Sequence, residues 1–403
     1  MRALEGIKVV ELGTHVAIPK VARVMADWGA DVIKVEPPRG EAWRTVGVGY
    51  MLPVEKDNNP IWHTENMHKK DIAINLKDPD GLKIMFQLLQ DADVFLTNTR
   101  EKALQKMGLD YETIKDKFPK LIYCHFTAFG DKGPEKDLPG FDISAFWAKS
   151  GLPVEWTLKG NMPFKAIPGV GDSACAAIAT SAVLASLIKR EKTGVGELVS
   201  TSLYSTAIWL NSCGVITGQP QYGRKYPEEH YIDPLVPPYL TKDEQWVMAA
   251  DPSWERLYKK VFPLIGLEQY LDDERFTTRK AAVQNYDFVC SVIADAWKKF
   301  TATELIQKFA QNGVIFARYQ NPSELYCDEQ GWANGYLSKL TLQNGSELVV
   351  PNVPVKFSSD EMRPVELGPE LGEHTESIMK NLGYSDEEIE KMEMSGAIVN
   401  YEK

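Results

Sequence analysis

The first third of the chain alternates short apolar segments with segments of helical spacing, and this alternation constrains the fold more than any other feature. Helical spacing runs over Val21–Trp28 and Asp80–Leu89. The apolar segments have the length and composition of strands and are Ile7–Leu12, Val32–Val35, Asp71–Leu76, Val94–Leu96 and Leu121–Phe126. Strands that alternate with helices form a parallel sheet covered on both faces. The sequence therefore predicts an α/β fold with a doubly wound, Rossmann-like sheet.

The character of the sequence changes after an Ala-rich helical segment, Ala174–Ile188. Residues Gly218–Pro238 are rich in Pro, Gly and Tyr, a composition typical of linkers and of arms that wrap around a partner. A strand at Gln245–Met248 and the helices after it predict a smaller α+β domain over 218–331. Strands, including Val355–Phe357, are predicted again from about Trp332. Two domains are the expectation for 403 residues.

Composition limits the partners and the compartment. A formal charge of −11 argues against a nucleic-acid backbone as a partner. Charge interrupts the N-terminus at once, unlike a secretory signal, and the longest apolar run, Ser173–Ile188, is predicted to be too short to span a bilayer. Five cysteines without a C-x-x-C pair favour a reduced environment. We therefore expect a cytoplasmic protein that binds neither nucleic acid nor membrane.

Several common site motifs are absent from the sequence. The first strand ends in Gly13–Ala17, which lacks the G-x-G-x-x-G of dinucleotide-binding folds, and there is no phosphate-binding P-loop. The six histidines are scattered without the spacing of metal ligands. The G-x-S-x-G of serine hydrolases is also missing. We expect no metal and no permanently bound cofactor.

Basic side chains flank the predicted strands. Ligands of parallel α/β sheets bind beyond the carboxyl ends of the strands. The basic groups expected at this edge are His68, Lys69 and Lys70; Arg39 and Arg44; and Arg100, Lys102 and Lys106. Each group alone is also typical of solvated surface charge. Three groups at one edge fit a long polyphosphate ligand bound without a Gly-rich loop, and coenzyme A is such a ligand.

Asp172 is the strongest candidate for a catalytic residue. It follows Gly169 and Gly171, which leave the backbone bare for close approach, and it precedes the segment Ala174–Ile188. The dipole and free N–H groups of a helix N-terminus favour an ionised aspartate, as a carboxylate nucleophile requires. The alternative is simple capping, because Asp is a preferred N-cap residue.

Motifs along nearly the whole chain resemble those of the family III CoA-transferases, which include formyl-CoA, carnitine and clostridial 2-hydroxyacyl-CoA transferases. The segment Gly133–Asp142 is most similar to the 2-hydroxyacyl-CoA branch, although Ser173 and Ala176 stand where that branch has His and Gly. The matching segments are Leu4–Leu12, Ala26–Glu36, Lys69–Ile72, Gly169–Ser173, Thr193–Glu197 and Leu371–Thr375.

The resemblance implies a set of site residues. The family's catalytic aspartate falls on Asp172, and Gly169, Gly171 and Phe141 are expected to border the reacting acyl group. The CoA-binding positions expected from the resemblance and from the basic edge are His15, Val16, Ala17, Lys69, Lys70, Asn98, Thr99, Arg100, Ala103, Lys106 and Met107.

The resemblance also implies an architecture. Residues 1–217 and 332–403 are expected to form one large CoA-binding domain, and 218–331 the small domain with its linker. Two copies of the chain are expected to thread through each other as interlocked rings. The partners would be acyl-CoA, a carboxylic acid and a second copy of this chain.

The implied reaction moves CoA from an acyl-CoA to a carboxylic acid, with 2-hydroxy acids among the candidate acceptors, through aspartyl anhydride and aspartyl-CoA thioester intermediates on Asp172. One alternative is an α-methylacyl-CoA racemase of the same fold. That reaction needs a second base, and Phe141 occupies the segment where the racemases place a histidine. Another alternative is a non-catalytic CoA-binding protein, which would not need an intact Asp172.

Overall fold

The computed structural model describes residues 2–50, 59–164, 166–250 and 253–401. It contains two compact units. Unit 1 consists of 1–152, 165–216 and 329–403, and unit 2 consists of 153–164 and 217–328. The segment 153–164, which the sequence analysis placed in the large domain, groups with the second unit.

Twelve strands lie in the described residues and form three sheets. They are β1 (Lys8–Leu12), β2 (Asp31–Glu36), β3 (Lys70–Ile74), β4 (Val94–Thr97), β5 (Ile122–Thr127), β6 (Leu198–Ser202), β7 (Tyr239–Leu240), β8 (Trp246–Ala249), β9 (Phe316–Arg318), β10 (Leu337–Thr341), β11 (Glu347–Pro351) and β12 (Ile398–Val399). No strand forms at Val355–Phe357, where the sequence predicts one; instead β11 pairs with β10 as an antiparallel hairpin.

The α-helices of the described residues are α1 (Ala17–Asp27), α2 (Pro60–Asn66), α3 (Pro79–Gln90), α4 (Glu101–Met107), α5 (Tyr111–Ile114), α6 (Leu152–Glu155), α7 (Val170–Thr193), α8 (Leu203–Leu210), α9 (Ser212–Thr217), α10 (Trp254–Leu264), α11 (Arg279–Gln284), α12 (Tyr286–Trp297), α13 (Ala302–Gln311), α14 (Pro322–Leu325), α15 (Glu329–Ala333), α16 (Thr375–Asn381) and α17 (Asp386–Ser395). Three 3₁₀ segments, Ala42–Tyr50, Pro220–Tyr222 and Glu268–Tyr270, and one π-helical segment, Asp142–Ala148, complete the set.

The large sheet of unit 1 has the order β12-β3-β2-β1-β4-β5-β6. All neighbours run parallel except β12, which pairs antiparallel with β3. The order reverses between β1 and β4, and ligands of such sheets bind at this switch point, beyond the carboxyl ends of the strands. The prediction of a mixed α/β fold with a large parallel sheet is confirmed.

Two apolar cores cover the faces of this sheet. On one face, α1 and α7 pack against buried strand residues such as Val9, Val94 and Cys124. On the other face, α3, α16 and α17 pack against residues such as Val10 and Phe95. Successive strand residues point to opposite faces, so one strand supplies both cores.

Helix α7 is longer than the sequence predicts. It contains 24 residues, which is long and apolar enough to cross a membrane by length and composition alone. The expectation that this segment is too short is therefore wrong. Its residues Cys175, Ala179 and Val183 are fully buried in the core of unit 1, however, and core helices of globular proteins pass the same test.

Unit 2 has its own core. An antiparallel sheet of β7, β8 and β9 packs with α10, α12 and α13. The largest buried side chains there are aromatic, among them Trp254, Trp297 and Phe262.

Candidate active site

Helix α7 begins at a glycine. Gly169 is the N-cap, with a φ of 85°, which favours glycine, and no side chain fills the space beside its Cα. Asp172 therefore lies in the first turn and is not the N-cap. Among the described residues, no group donates a hydrogen bond to its half-buried carboxyl oxygens. The alternative that Asp172 simply caps the helix is wrong.

Asp142, at the start of the π-helical segment, caps helix α7 from outside. Its Oδ2 accepts a hydrogen bond from the Gly169 N–H at 3.0 Å, and its Oδ1 accepts one from the Asp172 N–H at 3.0 Å. A carboxylate at a helix N-terminus satisfies otherwise unpaired N–H groups and interacts favourably with the dipole. Asp142 thus takes the role that local pattern assigns to Asp172.

Gly171 is required by this cap. A Cβ at this position would lie 2.1 Å from Asp142 Oδ1 and 2.4 Å from Phe146 Cγ. The bare backbone of Gly171 therefore faces Asp142 and Phe146, whereas that of Gly169 faces open space. Of the two glycines predicted to admit a substrate, Gly169 alone is placed to do so.

The loop after β1 reaches the same place. His15 has a φ of 64°, and its N–H donates to Glu41 Oε2 at 2.7 Å. Its ring contacts Trp43 at a centroid distance of 5.8 Å and Phe141 at 5.4 Å, both edge to face. Phe141 is 66% exposed and directly precedes Asp142. The fold thus brings His15, Phe141 and Asp172, three predicted site residues, to one location.

A lysine from α1 and a glutamate from α2 complete this location. Lys20 Nζ lies 2.8 Å from Ser173 Oγ and 3.2 Å from Glu65 Oε1. We call Asp172, Asp142, Glu65 and Lys20 the Asp172 cluster; it holds three carboxyl groups and one ammonium group. Because carboxyl groups outnumber the cation, the cluster favours binding of protons.

The titration of Asp172 follows from this imbalance. Burial, with the negative charges of Asp142 and Glu65, raises the pKa of the Asp172 carboxyl to about 7, while Lys20 opposes the rise. Burial raises the pKa of Glu65 as well. Burial and the neighbouring carboxyl groups thus oppose the ionisation that the helix N-terminus is expected to favour, and Asp142 already occupies the N–H groups of Gly169 and Asp172.

The switch point of the sheet holds the second group of predicted residues. Thr14 and Asn98 exchange two hydrogen bonds, N–H to Oδ1 at 3.0 Å and Nδ2 to carbonyl at 2.9 Å, which join the loops after β1 and β4. The carbonyl of Thr99 accepts a hydrogen bond from His125 Nε2 at 3.0 Å. These bonds fix the backbone where a nucleotide would lie.

Helix α4 follows directly from this loop. Ala103 and Met107 are half-buried, and Lys106 and Arg100 are exposed. Arg100 and Lys106 form no ion pair with any residue that the structure describes, and both are therefore available to an anionic ligand. Val16 and Ala17, in contrast, are 5% and 3% exposed, so only their backbone can face a ligand.

Lys69 lies elsewhere. Its buried Nζ donates to Glu11 Oε2 at 2.8 Å, the Pro19 carbonyl at 2.8 Å and Asn66 Oδ1 at 2.9 Å. An ammonium group has three donors, so none remains for a phosphate. Glu11 also binds Lys34 Nζ at 2.9 Å, and Lys34 binds Glu41 at 2.8 Å. We call Glu11, Lys34, Glu41 and Lys69 the strand network.

Lys70 and Arg44 are also committed to carboxylates. Lys70 begins β3 and pairs with Asp31, at the start of β2, at 2.8 Å. The first residue of a parallel strand lies at the amino end of the sheet, whereas ligands bind at the carboxyl end. The expectation that all the basic groups share one edge is therefore wrong for Lys70. Arg44 pairs with Glu36 at 2.6 Å and stacks over Trp62 at 3.8 Å.

Sequence reasoning missed Asp142, Lys20 and Glu65 as members of the site. Asp142 lies 30 residues before Asp172, and Lys20 lies 153 residues before Ser173. No local spacing connects such positions. The one available signal was the Phe141–Asp142 pair in the segment that resembles the 2-hydroxyacyl-CoA branch.

Comparison with known proteins identifies the family. The model of CoA-transferase family III matches residues 4–375. The chain belongs to this family. It is therefore a CoA-transferase, an enzyme that uses CoA thioesters as substrates.

Characterised relatives cover the chain from end to end. The (R)-2-hydroxy-4-methylpentanoate CoA-transferase of Clostridioides difficile is 36% identical, over 98% of this chain and 99% of its own. The cinnamoyl-CoA:phenyllactate CoA-transferase of Clostridium sporogenes is 35% identical, over 96% of this chain and 95% of its own. A crystal structure of a CAIB/BAIF family protein from Brucella suis has a TM-score of 0.81 at 26% identity, with 94% of this chain and 99% of that chain covered.

Proposed function

We propose that this CoA-transferase moves CoA from an acyl-CoA donor to a 2-hydroxy acid, with Asp172 as the covalent nucleophile. The observation that carries the proposal is the carboxyl group of Asp172. Asp172 lies in the first turn after Gly169, whose backbone faces open space, and its carboxyl group accepts no hydrogen bond from the described residues. Two named relatives of similar length act on 2-hydroxy acids, which supports this substrate class.

Two attacks complete the first half of the proposed reaction. Asp172 attacks the thioester carbonyl carbon, the C–S bond breaks, and CoA leaves as a thiolate. The product is a mixed anhydride between Asp172 and the donor acid. The thiolate then attacks the aspartyl carbonyl carbon, which gives an aspartyl-CoA thioester and releases the donor acid as a carboxylate.

The second half reverses these steps with the acceptor. The acceptor carboxylate attacks the aspartyl-CoA carbonyl carbon and expels the CoA thiolate, which forms a second anhydride. The thiolate attacks the acyl carbonyl carbon of that anhydride. The new acyl-CoA leaves, and Asp172 is regenerated as a carboxylate, so that charge and atoms balance over the cycle.

For CoA itself we propose the loops at the switch point and helix α4. The Thr14–Asn98 pair would order the backbone near the nucleotide, while Arg100 and Lys106 are placed for its phosphates. Lys69 is not part of this proposal because its three donors already have acceptors. Lys70, paired with Asp31 at the other edge, is not part of it either.

Trapping tests the covalent step. Incubation with acyl-CoA alone, followed by hydroxylamine, should convert Asp172 to a hydroxamate that mass spectrometry detects. Hydroxylamine without acyl-CoA is the control. An unmodified Asp172 in an enzyme that still transfers CoA would overturn the proposed intermediate, and loss of α-deuterium from acyl-CoA without any acceptor would favour racemisation.

A panel of acids tests the substrate class. We expect higher kcat/KM with (R)-2-hydroxy acids that carry branched aliphatic or aromatic side chains than with succinate or glutarate. The corresponding acids without the hydroxyl group are the matched controls. Equal kcat/KM with and without the hydroxyl group would contradict a 2-hydroxy acid as the acceptor.

We also propose a cytoplasmic homodimer, in which two chains interlock as rings. Helices α8 and α9 expose Ile208, Trp209, Leu210, Val215 and Ile216, and Trp209 is 71% exposed. Contiguous exposed apolar side chains mark interaction surfaces. A second copy of the chain is the partner that the family resemblance implies.

Dilution distinguishes an interlocked dimer from an ordinary one. Interlocked rings cannot separate without unfolding, so light scattering should report a dimer at all concentrations down to the nanomolar range. Trp209→Glu should reduce the yield of dimer, whereas Trp246→Glu, at an exposed tryptophan of β8, should not. A monomer at micromolar concentration would contradict the proposal.

A further inference from the structure

Lys20 occupies an unusual position for a lysine of helix α1. Its side chain is 30% exposed, whereas the preceding residues of the helix, Ala17, Ile18 and Pro19, are buried. Its ammonium group is held from two other elements, by Glu65 of α2 and Ser173 of α7. Ser173 directly follows Asp172, so this cation lies beside the proposed nucleophile.

The hydrogen bonds define how Lys20 is held. The Ser173 hydroxyl donates to the Gly169 carbonyl at 2.6 Å, so its oxygen must accept a hydrogen bond from Lys20. A second ammonium proton is directed to Glu65 Oε1. The third has no acceptor among the residues that the structure describes. An ammonium group anchored through two donors presents the third in a fixed direction.

The anchor from Glu65 is itself buried. The Glu65 side chain is 8% exposed, and its second oxygen, Oε2, has no hydrogen-bond partner in the described part of the chain. Its paired oxygen, Oε1, holds the ammonium group of Lys20 next to the start of helix α7.

The carboxyl groups of the Asp172 cluster suggest what the ammonium group of Lys20 does. An acid substrate enters and leaves as a carboxylate, and the Asp172 cluster already contains three carboxyl groups. Without a cation these groups would repel the acid. A charge-assisted hydrogen bond from an ammonium group is a strong way to hold a carboxylate.

We propose that Lys20 is the residue that binds the carboxylate of the free acid substrate beside Asp172, with Ser173 and Glu65 as its positioning residues. This inference rests on the proposed function. It assigns the acid a subsite formed by α1, α2 and the start of α7, separate from the CoA subsite at α4. The same subsite would hold the donor acid before its release.

Steady-state kinetics of three variants tests the role. Because the two substrates react in separate half-reactions, kcat/KM for the acid and for acyl-CoA are measured independently. Lys20→Met should lower kcat/KM for the acid by about 10- to 100-fold, as expected for loss of a hydrogen bond to a charged group. Lys20→Arg keeps the positive charge and should retain most of the wild-type kcat/KM for the acid. Lys189→Met removes a surface pair with Glu197 on the same helix as Asp172 and should have no effect.

Hydroxylamine trapping separates failure of this inference from failure of the proposed function. At a pH well above 7, where Asp172 is ionised with or without the nearby charge of Lys20, Lys20→Met incubated with acyl-CoA should label Asp172 at a rate within about threefold of wild type, since the labelling needs no free acid. Normal labelling with an unchanged kcat/KM for the acid would overturn the role of Lys20 alone. An equal fall of both kcat/KM values with a lower Tm would reduce Lys20 to a structural role. Absence of labelling in wild type would overturn the proposed function and this inference with it.

Discussion

Two clusters of charged side chains lie in unit 1, and they differ in how their charges are matched. The strand network pairs two carboxylates with two ammonium groups, and Glu11, Lys34 and Lys69 have fully buried side chains. The Asp172 cluster has three carboxyl groups and one partly exposed ammonium group. One cluster has equal numbers of carboxyl and ammonium groups and is closed to solvent, while the other has more carboxyl than ammonium groups and is partly open.

The pKa values of the carboxyl groups differ in the same sense, although burial and the positive charge of Lys34 lower the pKa of Lys69 in the strand network to about 8. Although burial favours the neutral form, Lys34 and Lys69 hold the pKa of Glu11 below its usual value. In the Asp172 cluster, burial and neighbouring carboxylates raise the pKa of Asp172 to about 7. Matched buried charges stabilise a fold or hold it in register, whereas an unmatched group near neutrality is suited to chemistry. Between these two clusters, burial of charge alone therefore does not mark the site; the carboxyl group with a pKa near neutrality is the one without a paired cation.

The largest expected effect is on catalysis. Asp172→Asn removes the proposed nucleophile but keeps the shape of the side chain, so CoA transfer should fall by at least about 10³-fold. The Tm should stay equal or rise, because one of three neighbouring carboxyl groups is removed. Coupled assay of acyl-CoA formation and thermal unfolding measure the two effects. CoA-transfer activity above a tenth of wild type would show that the carboxyl group of Asp172 is not required for catalysis.

The strand network should respond in the opposite way, with a loss of stability. Lys34→Met leaves Glu11 and Glu41 buried without their shared cation and should lower the free energy of unfolding by about 3–5 kcal/mol. Urea unfolding followed by circular dichroism measures this change. Lys70→Met is the matched control: its pair with Asp31 is half-exposed, and its loss should cost about 0–1 kcal/mol. Equal losses in both variants would contradict the comparison.

A smaller effect is expected at the glycines before Asp172. Gly171→Ala places a Cβ against Asp142 and Phe146 and should cost about 1–3 kcal/mol of stability. It should also slow CoA transfer, because Asp142 must shift. Gly169→Ala meets no atom, and only its left-handed φ opposes the substitution, at about 1 kcal/mol. Urea unfolding and CoA-transfer assays measure both variants. Equal stability and equal activity of the two variants would contradict the close packing of Asp142 and Phe146 against Gly171.

The smallest effect concerns pH. With the pKa of Asp172 raised to about 7, the nucleophile is protonated below that pH, so the rate of acylation should increase as pH rises through 7. Asp142→Asn removes a neighbouring negative charge, lowers the pKa of Asp172 and should move this increase to lower pH by up to about one unit. Asp131→Asn, at an exposed aspartate, is the control. An unchanged pH profile, or a shift to higher pH, would show that the charge of Asp142 does not raise the pKa of Asp172.

Local sequence pattern was informative for the secondary-structure elements and for the choice of the proposed nucleophile. The strands around Val9, Val32 and Val94 follow from short apolar runs between helices, and all three lie in the parallel sheet. Asp172 stands out because glycines precede it and a long apolar helix follows. The partners of the basic residues were less predictable. Lys69 and Lys106 both lie near predicted strands, but the sequence does not show which of the two forms hydrogen bonds to buried acceptors.

The sequence by itself determined the alternation of strands and helices, the helix of Asp172 and the membership of CoA-transferase family III. These properties depend on neighbours within a few turns of chain, or on motifs that are read directly. Only the tertiary structure decided that Asp142 caps the helix, that all three donors of Lys69 find buried acceptors and that Lys20 bonds to Ser173, next to Asp172. Charge and hydrogen bonding act through space over a few ångströms, and folding alone decides which distant residues come that close.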